Sequence, residues 1–123
     1  MGPMDKPEAF EDLEAWQMAG KLTNQVHAQC SREPLSKDSG LSGHLRRASL
    51  SVMNNIAEGW KSFHQAEKKQ FYNFARRSCG EVRSMTYVLG DNATISKHDA
   101  DSLREQAIHT GKLDSGLIRS VGS

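Results

Sequence analysis

Leu45–Trp60 reads LRRASLSVMNNIAEGW, and its periodicity decides the fold. At about 100° per residue, Leu45, Ala48, Val52 and Ile56 fall on one face, with Leu41 just upstream. Arg47, Ser51, Asn54 and Glu58 form a polar stripe. Leu50, Met53 and Ala57 make a second apolar face, with Arg46 at its upper end. This is a helix with two apolar directions, and Gly59 is expected to close it at positive φ. A helix in a bundle buries one face in its own core. The second face, Arg46, Leu50, Met53 and Ala57, therefore predicts contact with another subunit. The plainer alternative is ordinary surface apolar residues, which occur singly on most proteins.

Three more helical segments flank this one. The first runs from about Leu13 to Cys30, with Leu13, Trp16, Gly20, Thr23 and Val26 on one side. The loop SREPLSKDSG follows, punctuated by Pro34 and Gly40. The second helix is expected over about Gly43–Ala57 with Ser42 as N-cap, and the third over about Ala66–Leu89. The fourth is expected over about Lys97–Ile118, where Ser96 and Asp99 suggest a capping box. No segment alternates like a strand. The expected fold is all-α, an antiparallel up-down-up-down four-helix bundle. The 123 residues suit a single domain, with residues 1–9 read as a flexible lead-in.

Net charge is only +1, but it is unevenly spread. Residues 1–31 carry two basic and five acidic groups, a net of −3, whereas residues 44–83 carry eight basic and three acidic, a net of +5. A basic block inside a near-neutral chain is a reason to consider an anionic partner. On the third helix Phe71, Phe74, Ser78, Val82, Met85 and Leu89 read as the core face. Lys69, Arg76 and Arg83 lie opposite at seven-residue spacing, with Tyr87 among them and Tyr72 nearby. Cations in a row can meet successive phosphates, and tyrosines beside them can stack on bases. Lys68 and Arg77 extend the candidate nucleic-acid-binding set. A solvated polar face is the plainer reading of the same stripe, although this one holds no acidic residue.

Catalytic and metal motifs are missing. His27, His44, His64, His98 and His109 form no HExxH and no zinc spacing. There is no P-loop, no GxGxxG and no nucleophile elbow. His27 with Cys30 is half a metal site at most, and Arg47 with Glu58 reads as a helix ion pair. The expectation is a non-enzyme without cofactor. No apolar run approaches the ~18 residues of a membrane span, and no secretion signal is evident. Cys30 and Cys79 are then expected as reduced, buried thiols in a cytoplasmic protein.

FEDLEAWQMA at Phe10–Ala19, LRRASLSVMNNIAEG at Leu45–Gly59, KKQFYNFARRSCGEVRSMTYVLGD at Lys68–Asp91 and GLIRSV at Gly116–Val121 together resemble a bacterial four-helix-bundle family. Its members include proteins encoded in intervening sequences of 23S ribosomal RNA genes, and a related group is the accessory variability protein of diversity-generating retroelements. The resemblance implies a bundle assembled into a ring, commonly a homopentamer. For the retroelement group it also implies binding to nucleic acid and to a reverse transcriptase. Trp16, Arg46, Arg47, Asn55, Glu58 and Gly59 fall on the family's motifs, and Asn55 is expected to hydrogen-bond near a helix end. Met53-Asn54-Asn55 stands where many members have proline, serine and asparagine, so this second helix should run without a kink. Arg76, Arg77 and Arg83 make the third helix more basic than in several members.

Two functional readings follow. One is a nucleic-acid-binding accessory protein, RNA or DNA, whose ring repeats the cationic stripe. The other is a structural adaptor whose ring docks a protein partner.

Overall fold

The computed structural model describes residues 6–122. The chain forms four helices: α1 (Glu14–Cys30), α2 (Ser39–Lys61), α3 (Gln65–Asp91) and α4 (Lys97–Ser120). Short 3₁₀ turns at Phe10–Asp12 and Leu35–Lys37 precede α1 and α2, and no strand occurs among the described residues. Residues 1–5 of the lead-in lie outside the described residues. Within its remainder, the Glu8 and Ala9 amides donate to the Asp12 carboxylate at 2.9 and 3.2 Å.

Every adjacent pair runs antiparallel, because partner numbers fall on one helix as they rise on the next. Thr23 and Cys30 of α1 donate to the Ser49 and Ser42 carbonyls of α2. On the next pair, Ser51 meets Ser78 and His44 meets Glu81. Cys79 meets Asp114, and Thr86 meets Arg104. The ring of helices closes where Gln25 of α1 meets Ser102 of α4 and Gln106 reaches the Met18 carbonyl. The core is filled by Leu22, Val26, Leu35, Leu45, Val52, Ile56, Val82, Leu89 and Leu103, all fully buried.

Helix α2 is longer at both ends than its periodicity suggests. Its N-cap is Asp38, whose carboxylate accepts from the Leu41 amide at 3.0 Å. Ser42, expected as the cap, is buried inside the first turns. At the other end α2 runs unbroken past Gly59 to Lys61. No glycine among the described residues has positive φ, so Gly59 does not close the helix. It serves a close approach instead: a Cβ there would sit 2.5 Å from Cε1 of the Tyr72 ring. Gly59→Ala therefore overpacks the α2/α3 contact, at about 1–3 kcal/mol, against a helix-propensity gain of at most about 1 kcal/mol. The expected net result is a lower urea midpoint, and an unchanged or higher midpoint would show that the ring yields freely. Asn55 also departs from expectation: it lies mid-helix, and its amide donates to Ser51, to the carbonyl at 2.8 Å and to the hydroxyl at 2.9 Å.

Helix α3 is rotated from its predicted orientation by roughly 60° on a scale of 100° per residue. Tyr72, Ala75, Cys79, Val82, Thr86 and Leu89 face the core, with Ser78 at its edge. Of the predicted core face, Phe71 and Met85 are half-buried and Phe74 is exposed, its ring edge-on to Phe71 at 6.3 Å. Large apolar residues attract a sequence reading, but packing follows small ones. Gly59 against Tyr72, Gly111 against Cys79 and Gly90 against Ala100 are the places where α3 meets its neighbours closely. The Ser96 cap on α4 is present, its hydroxyl accepting from the Asp99 amide at 3.0 Å. The Asp99 carboxylate turns instead to Arg32 at 3.6 Å.

Candidate nucleic-acid interface

Lys69, Arg76 and Arg83 line one side of a groove between α3 and α4. The opposite side carries Lys112 and Arg119 of α4. The groove has two connected stretches. A cleft of about 510 Å³ is bounded by Lys69, Gln70, Asn73, Arg76, Ser115 and Arg119. A cleft of about 270 Å³ beyond it is bounded by Arg76, Gly80, Arg83, Gly111, Lys112 and Ser115. Arg76 is shared between them, so the cations follow one continuous line. No Asp or Glu lines either stretch, and none of the five cations pairs with a carboxylate among the described residues. Arg76 is held by a neutral partner, its Nε and Nη2 donating to the Asn73 side-chain oxygen at 3.2 and 2.9 Å. Gly80 and Gly111 contribute no side chain, which leaves the middle of the groove open.

Lys112 and Arg119 escaped the sequence reading. Their signal was there: they stand seven residues apart, the spacing that marked Lys69, Arg76 and Arg83. Only the antiparallel pairing of α3 with α4 shows that the two rows face one groove.

Other predicted members do not join it. Lys68 is occupied as a cap for α2: its ammonium donates to the Gly59 and Trp60 carbonyls at 3.1 and 2.8 Å and lies 5.8 Å from the Trp60 ring centroid. A cation there satisfies carbonyls left open at a helix C-terminus. Tyr72 is 3% exposed and cannot stack on a base. Tyr87 is exposed, but the Arg104 guanidinium covers its ring at 3.8 Å from the centroid. Arg104 is itself tied to Asp101 and Thr86. Arg77 is exposed and lies outside the groove.

The second apolar face of α2 is partly spent inside the chain. Met53 is half-buried on the α1 side, where its Cε approaches Gly20. Arg46 and Ala57 are half-buried, and Leu50 is 41% exposed. Trp16, from the first family motif, is half-buried and packs edge-on against Phe10 at 5.3 Å. Arg47 and Glu58 are exposed and form no ion pair with each other.

One buried polar pair lies beneath the groove. The Cys79 thiol donates to Oδ2 of Asp114 at 3.3 Å, while Oδ1 has no partner. Burial pushes the Asp114 carboxyl up to about 7, and the Cys79 hydrogen bond works in the opposite direction. The Cys79 thiol is raised by burial and by the adjacent carboxyl, so it remains a donor. Cys30 and Cys79 are both free and buried. No cluster that could hold a metal ion occurs among the described residues, and no helix is long and apolar enough to cross a membrane.

The family model for the 23S rRNA-intervening sequence protein matches residues 11–116, which takes in the first three helices and most of α4. The chain belongs to this family. Among solved structures, a Bacteroides thetaiotaomicron protein of unknown function from the S23 ribosomal protein family is similar in fold. The TM-score is 0.78 at 17% identity, covering 86% of this chain and 96% of that one. No curated protein matches the chain.

Proposed function

We propose that this 23S rRNA-intervening sequence family member is a non-enzymatic, cytoplasmic oligomer that binds nucleic acid through the α3/α4 groove. The observation that carries the reading is the convergence of Lys69, Arg76, Arg83, Lys112 and Arg119 on one groove lined by no acidic residue. Unpaired cations in a row attract a polyanion and release its counterions, so affinity falls steeply with salt. Assembly into a ring, a homopentamer by resemblance, would repeat the groove and multiply weak contacts into avidity. A reverse transcriptase is the protein partner that the retroelement branch of the resemblance suggests.

The adaptor reading is favoured by a different feature. Phe63, in the turn between α2 and α3, is 95% exposed, and such an aromatic can anchor a protein partner. Fluorescence anisotropy with labelled RNA and DNA separates the two readings. Salt-sensitive binding supports the groove, with the logarithm of the association constant falling, for each tenfold rise in salt, by about 0.9 per cation engaged on a duplex and about 0.7 on a single strand. Absence of binding at low salt would leave the adaptor reading.

A further inference from the structure

From the make-up of the groove, and resting on the reading above, we infer that its ligand is double-stranded RNA and not a single strand. Single-strand binders combine a cationic track with exposed aromatic rings on which bases stack. This groove has the track without the rings. Tyr72 is buried, and Tyr87, one face of which carries the Arg104 guanidinium, lines neither stretch of the groove. Phe74 and Val88 are exposed, but they line neither stretch of the groove. Bases splayed from a single strand lying in the groove would meet no aromatic ring among its lining residues, since the exposed Phe63 of the α2/α3 turn lies outside both stretches.

A duplex needs no such platform, because its bases already stack on each other and its sugars and phosphates lie outermost. The helix geometry suits it. Lys69 and Arg83 stand fourteen residues apart on an unbroken helix, roughly 21 Å of straight rise at 1.5 Å per residue. A stiff, densely charged backbone can follow such a line. Counterion release is also larger for a duplex than for a single strand, about 0.9 against 0.7 per phosphate contact. The polar groups between the cations point to RNA. Exposed Gln70 and half-buried Ser115 line the same cleft as Lys69, Arg76 and Arg119. Amide and hydroxyl groups interleaved with phosphate contacts are what the 2′-hydroxyls of an RNA duplex require.

The test uses the full chain with a labelled RNA duplex of about 16 base pairs, each of its single strands, and the DNA duplex of the same sequence. The RNA duplex is expected to bind at least about tenfold tighter than either single strand, with a salt slope of about four to five if all five cations engage. It is also expected to bind tighter than the DNA duplex. Replacing both polar groups (Q70A with S115A) should erase that preference, costing about three- to tenfold on RNA with the salt slope unchanged. Equal or tighter binding of a single strand overturns the duplex assignment while leaving the groove as a binding surface. DNA bound as tightly as RNA overturns the 2′-hydroxyl contact. Failure of all four probes removes the groove reading itself, and with it this inference.

Discussion

Reversing Lys69, Arg76 and Arg83 together to glutamate is expected to reduce affinity for nucleic acid by at least about a hundredfold at low salt. Each change replaces a phosphate attraction with a repulsion, in a groove that holds no acid to begin with. The neutral triple variant, glutamine at the same positions, should retain weak binding with a salt slope lower by about three. Lys112 and Arg119 would carry that remainder, since they face the same groove from α4. None of the three side chains is in the buried core, so helicity, thermal midpoint and oligomer mass should be unchanged. Lys68→Gln is the informative contrast. Its ammonium caps α2, so it should lower stability and leave the salt slope alone. Undiminished binding by the charge-reversed protein would remove the groove from consideration.

The second large effect concerns Asp114. Its carboxyl is held up to about 7, against 3.8 in the unfolded chain, chiefly by burial. Between those values the native state holds a proton that the unfolded state has released. Stability therefore falls as pH rises from about 4 to about 7 and stays low above that. An ionised carboxylate at a buried site is costly, and the effect is large against the marginal stability of a typical domain. Asp114→Asn removes the titration and keeps an oxygen for the Cys79 thiol. Thermal midpoints measured between pH 5 and pH 8 should show the variant gaining on the parent as pH rises. Parallel profiles would mean that Asp114 is already neutralised by another partner.

The number and order of helices were legible because amphipathic periodicity is local. Residues a turn apart carry their signal whatever the rest of the chain does. Ser96 was legible for the same reason, since a cap needs only the next turn. Family membership was legible too, in the motifs on the first three helices, which lie almost wholly within the matched residues 11–116.

The candidate site was legible only in part. The row Lys69, Arg76 and Arg83 could be read from seven-residue spacing, but its partner row on α4 could not be placed against it. That placement depends on which side of α3 receives α4, a question of packing between segments remote in sequence. The rotation of α3 is similar. Phe71, Phe74 and Met85 outweigh Ala75, Cys79 and Thr86 in any local sum of hydrophobicity. Close packing at Gly59, Gly90 and Gly111 nevertheless turns the smaller residues inward. That turn buries Tyr72, so one tyrosine that reads as a stacking platform loses that role, while the α4 side chain of Arg104 occupies one face of Tyr87. Lys68 is diverted by carbonyls eight and nine residues away, across the turn between α2 and α3.

By itself, then, the sequence determined four amphipathic helices, their order, the basic block on the third and the family to which the chain belongs. The tertiary structure alone decided which face of α3 is buried, which cations share a groove and which are consumed as caps. The division is physical: helix formation depends on residues within a turn or two, whereas the facing of helices is settled by side-chain shape across contacts that no local pattern encodes.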